Sequence, residues 1–136
     1  MQRCPLKEET VDPRELRNAL GRFATGVTVI TTKTPSGKLE GLTANSFSAL
    51  SLDPPLVLWS IRQSAPALPG SLAASGFAVN VLAADQRELA AAFATAAVDK
   101  FANVPFAIGL RGHPAFPAAS PCSSARRRIP SRAATT

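Results

Sequence analysis

Apolar positions along this chain follow a helical spacing near the start and again near residue 90, with extended patterns between. Leu16, Leu20 and Phe23 share one helical face behind Asp12-Pro13-Arg14-Glu15, where Asp12 suits the cap, Pro13 the first helical position and Glu15 the third. That helix is expected to stop near Ala24-Thr25-Gly26, with Gly26 taking a left-handed turn. Val27-Thr28-Val29-Ile30-Thr31-Thr32 is β-branched throughout and is the clearest strand. Thr34-Pro35-Ser36-Gly37-Lys38 reads as a turn, so Leu39 to Thr43 should return antiparallel as its hairpin partner.

The stretch from Gly41 to Ile61 reads as strand, corner, strand. Leu42, Ala44, Phe47 and Leu50 alternate with small hydroxyl and amide residues, and Asp53-Pro54-Pro55 forbids helix because two amide donors are missing and Asp53 is pushed extended. The apolar run Leu56 to Ile61 is then expected as a buried strand. Small polar side chains on such backbone suit a ligand held through amides and hydroxyls. Further on, a loop from Arg62 to Gly70 leads into a short helix from Ser71 to Ala74, ended by Gly76, and Phe77 to Leu82 is a strand in which Asn80 is the polar member. Asp85-Gln86-Arg87-Glu88 starts another helix with Leu89, Ala92 and Phe93 as its stripe, and Asp99-Lys100-Phe101-Ala102 continues or restarts it. Arg111-Gly112-His113-Pro114 is a turn, beyond which neither period persists. The pattern gives a tail over 1–12, one domain over 13–114 of about four strands and three helices, and an unstructured basic Ala/Pro/Ser/Arg tail over 115–136.

Composition narrows the class. With 136 residues, 46% of them apolar, the chain is one domain's worth, and its apolar runs are far too short to span a bilayer. Met1 to Asp12 mixes both charge signs without an apolar core and cleavage site, so no secretory signal is read and the cytoplasm is expected. Cys4 and Cys122 sit near opposite ends and read as free thiols. Five of the six net positive charges come from Arg111, Arg126, Arg127, Arg128 and Arg132, so the basicity belongs to the tail and not to a nucleic-acid-binding face.

The chemistry-bearing residues exclude more than they indicate. One histidine and no tyrosine rule out a histidine-dependent hydrolase triad and a multi-histidine metal site. His113 is expected as a solvated turn residue. Capping explains Asp12, Asp85 and Glu88, the turn explains Asp53, and Ser46, Ser48, Ser51 and Ser60 lack a base. No glycine-rich phosphate loop is present, and no catalytic residue or metal ligand is assigned. A ligand corner without acid, base, nucleophile or metal either binds only or leaves its chemistry to a cofactor, and a flavin accepts hydride at its own ring.

Arg14 to Thr32 (RELRNALGRFATGVTVITT), Gly41 to Ile61 (GLTANSFSALSLDPPLVLWSI), Phe77 to Phe93 (FAVNVLAADQRELAAAF) and Asp99-Lys100-Phe101-Ala102 together resemble the flavin reductase-like family, the small reductases that supply reduced flavin to two-component monooxygenases. The resemblance covers about the first 105 to 114 residues. It implies a mainly β fold with flanking helices, an FMN-binding split β-barrel, which holds FMN or FAD non-covalently, works as a homodimer with flavin near the subunit interface and oxidises NADH or NADPH. On this resemblance Thr43, Ala44, Asn45 and Ser46 wrap the isoalloxazine and ribityl chain. Ser60, Ile61 and Arg62 touch the flavin again, Arg62 as a possible phosphate partner. Ala67 lies in the loop that approaches the phosphate, weakened here by Ala65-Pro66-Ala67, and Phe93 approaches the cofactor or else packs in the core.

Relatives continue past the turn near Arg111 to Pro114 with further barrel strands and a segment lining the nicotinamide side, whereas Pro121 to Thr136 looks like a shifted reading frame. The expectation is a C-terminally truncated or frame-shifted member whose open barrel exposes apolar edges. Its function is then a flavin reductase serving a partner monooxygenase, or a non-catalytic flavin-binding remnant. A basic nucleic-acid module, marked by salt-sensitive binding, is the third and least favoured class.

Overall fold

The computed structural model describes residues 12–117 and 120–126. Its centre is β1 (Thr28–Lys33), the strand that β-branching singles out. It lies between β2 (Leu39–Ala44) and β5 (Gly76–Val81), antiparallel to both, and β8 (Ser120–Arg126) adds to the far edge of β5, giving the order β2-β1-β5-β8. Burial on both faces requires that the threonine hydroxyls of β1 find acceptors. Thr28 Oγ1 donates to the Ala44 carbonyl at 2.7 Å, Thr31 Oγ1 to the Pro114 carbonyl at 2.6 Å and Thr32 Oγ1 to the Gly76 carbonyl at 2.8 Å.

Successive residues of a strand face opposite sides, so Val29 and Ile30 found two separate cores. Val29 packs with Phe93, Phe101 and Phe116; Ile30 packs with Ala44 and Val79, flanked by Leu42, Phe47, Trp59 and Phe77. The hairpin between β1 and β2 closes as the sequence predicts, with Gly37 N–H donating to the Thr34 carbonyl at 2.9 Å and Gly37 at φ 88°. That positive φ is what the turn asks of glycine.

Helix α1 (Pro13–Leu20) starts as expected, with Asp12 Oδ1 accepting from Arg14 N–H at 2.9 Å. It ends earlier than expected, at Leu20. Gly26 is not in the left-handed region, and Leu16, Leu20 and Phe23 are all exposed, Phe23 at 77%. No residue of α1 is buried, so no packing prolongs a helix too short to persist by propensity alone. Helix α2 (Leu68–Ala73) begins three residues before its expected start, at the Leu68-Pro69 pair. Helix α3 (Arg87–Ala94) lies where the 85–93 pattern places it, with Phe93 inward.

Four further expectations are corrected. The run Leu56 to Ile61 is not a buried strand: β4 covers Pro55–Leu58, pairs among the described residues only with β3 (Ser48–Leu52), and its residues are exposed or half-buried. A hairpin with no second layer over it cannot be dry. Asp99 to Ala102 is a turn and not a helix, because Asp99 Oδ1 accepts from Phe101 N–H at 3.0 Å and competes with helical bonding. His113 is buried, as described below. Finally, order does not stop at residue 114. β6 (Ala107–Ile108) pairs with β7 (Pro114–Ala115), Phe116 is buried, and β8 runs through part of the segment expected to be unstructured. Edge pairing recruits backbone amides whatever the side chains are, which explains why Ser120–Arg126 lacks a strand pattern. The expected N-terminal tail up to residue 11, with Cys4, and the stretch 127–136 lie outside the described residues.

Gly41 shows how tightly the Phe93 core is set against β2. A Cβ at residue 41 would meet Phe93 Cε1 at 2.6 Å and Cδ1 at 2.7 Å, and the ring is held by Phe101 and Phe116. Gly41→Ala is therefore expected to cost about 1–3 kcal/mol by overpacking, read as a lower midpoint in chemical denaturation. An unchanged midpoint would show that the Phe93 ring can shift.

Candidate functional site

The corner is built where β2 ends and the hairpin β3–β4 begins and ends. Ser60 N–H donates to Ser46 Oγ at 2.9 Å, which joins two stretches fourteen residues apart into one surface. Around this bond Asn45, Ser46, Ser60 and Arg62 are exposed and Ile61 is half-buried. The side chains of Asn45 and Arg62 make no hydrogen bond among the described residues, so an amide and a guanidinium are free to bind.

The other expected residues are placed differently. Thr43 Oγ1 donates to the Ala90 carbonyl at 2.6 Å, so its hydroxyl ties β2 to α3 and is not free for a ligand. Ala44 is buried, and its carbonyl is taken by Thr28. Ala67 is half-buried at the cap of α2, with its carbonyl accepting from Ser71 N–H at 2.9 Å. Phe93 is 1% exposed, packed edge-on against Phe101 at 5.0 Å and Phe116 at 5.2 Å between ring centres. Of its two readings, core packing is the one that the geometry carries: it supports the corner from behind β2 and does not reach its surface.

Sequence reasoning gave no role to Lys100 or Glu40, which lie on and against β2 behind this region. Lys100 Nζ donates to the Gly41 carbonyl and to the Phe93 carbonyl, each at 3.1 Å. One ammonium thus pins the outer edge of β2 to the end of α3, where carbonyls have no helical partner. Burial pushes its pKa down, and the Glu40 carboxylate partly opposes this. Glu40 Oε1 accepts from Lys38 Nζ at 2.9 Å, and Oε2 is buried without a hydrogen-bond partner among the described residues. Gly70 of α2 lies against that carboxylate, where a Cβ would collide with it. The signal that could have found Lys100 is its place in Asp99-Lys100-Phe101-Ala102, a lysine next to a core phenylalanine. Beside it Lys38, Leu39, Val98, Asp99, Phe101 and Ala102 line an open groove of about 450 Å³ that includes none of the expected site residues.

Among the described residues no group of three or more His, Cys, Asp or Glu side chains could hold a metal ion, and no helix is long and apolar enough to cross a membrane.

Residues 20–122 match the model of the flavin reductase like domain. The chain belongs to that family. The match spans β1, β2 and β5, the first three residues of β8, the corner and α3. An Agrobacterium fabrum protein named FMN reductase (NADH) SmoA is 55% identical over 80 residues, covering 59% of this chain and 45% of that protein. The reductase component of the flavin-dependent trigonelline monooxygenase of Acinetobacter baylyi is 46% identical over 94 residues, 69% of this chain and 30% of that protein. The chain thus spans less than half the length of these two curated relatives. Among solved structures, the Streptomyces globisporus NADH:FAD oxidoreductase SgcE6, in complex with NAD and FAD fragments, superposes with a TM-score of 0.73 at 32% identity, covering 88% of this chain and 87% of that one. The mainly β split-barrel class with flanking helices, expected from the resemblance, is the fold observed.

Proposed function

We propose that this flavin reductase-like chain holds FMN or FAD at the corner formed by residues 45–46 and 60–62, and that NADH or NADPH delivers hydride there. The reduced flavin then serves the oxygenase component of a two-component monooxygenase. The observation that carries the reading is the Ser60–Ser46 hydrogen bond, which brings the two stretches together and leaves Asn45 and Arg62 unengaged beside it. Their chemistry fits a flavin: hydroxyl and amide groups for its polar edge and ribityl chain, and a guanidinium for its phosphate. When bound, the flavin ring supplies the hydride acceptor. The residues of this chain hold and orient it, Thr43 and Lys100 by fixing β2 against α3. The exposed Leu50, Leu52 and Leu58 of the β3–β4 hairpin adjoin the corner and support a homodimer whose second copy covers them.

Fluorescence titration with FMN and with FAD, followed by NADH or NADPH in air, tests the reading. Arg62→Ala is expected to weaken flavin binding about 10- to 100-fold, the worth of one charge-assisted hydrogen bond, without changing the melting temperature. Equal affinity in the variant would remove Arg62 from the site, and no binding by the parent chain would overturn the assignment. One second reading is a chain that binds flavin without turning over nicotinamide. Saturable flavin binding with no nucleotide consumption would establish it.

A further inference from the structure

His113 is 4% exposed, and its Nδ1 accepts from the backbone N–H of Lys33 at 3.3 Å. The β1–β5 ladder runs from Thr28–Val81 to Thr31–Ala78, so Lys33 lies two residues past its last pair although β5 itself continues to Gly76. The imidazole takes the amide that the ladder leaves without a β5 acceptor. The backbone before it is bent to aim it there, Arg111 at φ 65° and Gly112 at φ 81°. On either side of His113 the same segment is tied down: the His113 carbonyl accepts from Gly109 N–H at 2.9 Å, and the Pro114 carbonyl accepts from Thr31 Oγ1 at 2.6 Å. Two residues further on, Phe116 closes over Phe93 and Phe101.

We propose that His113 is a proton-sensitive latch that holds segment 109–116 on the barrel when neutral and releases it when protonated. A proton on Nδ1 abolishes the acceptor, leaves the Lys33 N–H facing another N–H, and places a cation in a buried position. The charged groups around it do not compensate. Arg111 lies on its own turn and Lys33 on β1, both cationic; β5, β6 and β7 carry no ionisable side chain; and β8 brings Cys122 and Arg126 in its sequence. Burial first, and then the Arg111 charge, push the imidazole pKa below its ordinary value. The unfolded chain therefore takes up the proton first as pH falls. The contribution of His113 to stability is complete above the ordinary histidine range and is lost as pH falls from there through the folded value. Release of the segment withdraws Phe116 and uncovers the Phe93 cluster, so the switch acts on packing behind the proposed corner while standing independently of flavin binding.

The chain has one histidine, so its imidazole resonances are unambiguous. NMR titration of the full chain is expected to give a pKa below that of a histidine-containing peptide. In the same range, hydrogen-exchange protection factors at Lys33 and Phe116 should fall at least about 10-fold more than that at Val29, the equivalent of one pKa unit of linkage. His113→Asn keeps a short acceptor that does not titrate, and in it the extra loss should vanish. An ordinary imidazole pKa, or protection at Lys33 and Phe116 that tracks Val29 across the titration, would overturn the latch. If His113→Asn does not fold, the parent titration decides alone.

Discussion

Replacing Phe93 with alanine is expected to lower the free energy of unfolding by about 3–5 kcal/mol, a large part of the roughly 5–15 kcal/mol typical of a domain. The ring is fully buried and meets Phe101 and Phe116 at angles of 77° and 60°, so its loss removes two edge-to-face contacts as well as apolar burial. The cavity left cannot easily collapse. One wall is the Gly41 backbone of β2, which Lys100 and the β1 ladder hold in place, and another is Val29 at the centre of the sheet. Phe93→Leu, which keeps part of the volume, should cost clearly less. Urea unfolding followed by tryptophan fluorescence reads both, since the single Trp59 packs against Phe77 on the opposite core and reports global unfolding. A cost for Phe93→Ala under about 1 kcal/mol would mean that the ring is not a core element and would reopen its cofactor-facing alternative.

The contrast between Phe93 and Phe23 shows what the sequence could and could not reveal. Both close a helical stripe, yet Phe93 is buried and Phe23 exposed, because α3 has β2 to pack against and α1 has no such partner among the described residues. Periodicity specifies a face but not what covers it. β1, β2 and β5 were legible because β-branching and the Thr34–Lys38 turn are local signals. β4 and β8 were misjudged for opposite reasons: an apolar run stayed exposed or half-buried because no layer among the described residues covers it, and a polar run became a strand because β5 had an open edge. At the corner, Asn45, Ser46, Ser60 and Arg62 are exposed, and the Ser60–Ser46 bond joins their two stretches. Thr43 was not legible as a brace, since the acceptor for its hydroxyl lies 47 residues away on α3. The same applies to His113, whose partner on β1 is 80 residues distant. Turn residues are normally solvated. Only the end of the β1–β5 ladder at Thr31–Ala78 leaves an amide for this one to receive.

Asn80→Ala is expected to cost roughly 2–4 kcal/mol, although it deletes only a small side chain. Asn80 is almost wholly buried, and its amide is used at both ends. Nδ2 donates to the Val29 carbonyl at 3.0 Å and to Thr31 Oγ1 at 3.2 Å, while Oδ1 accepts from Phe116 N–H at 3.2 Å. Thr31 in turn donates to the Pro114 carbonyl, so one asparagine and one threonine join β5, β1 and the 114–116 segment. Alanine leaves the Phe116 N–H buried and unpaired, and the desolvation of such a donor outweighs the net worth of the bond it replaces. Asn80→Asp keeps an acceptor for Phe116 but turns an oxygen toward the Val29 carbonyl and loses the donor. It should therefore remain destabilised, and more so when ionised. Chemical denaturation of Asn80→Ala, Thr31→Val and the double variant forms a cycle in which the pair should couple by about 0.5–3 kcal/mol, because each single change disrupts the same tie. Strict additivity, or a loss below about 1 kcal/mol for Asn80→Ala, would show that water satisfies Phe116 and that the network carries no tension between the strands. A coupled cycle, together with a large loss for Phe93→Ala, would place Phe116 at the junction of the polar tie and the aromatic core: its amide held by Asn80, its ring by Phe93.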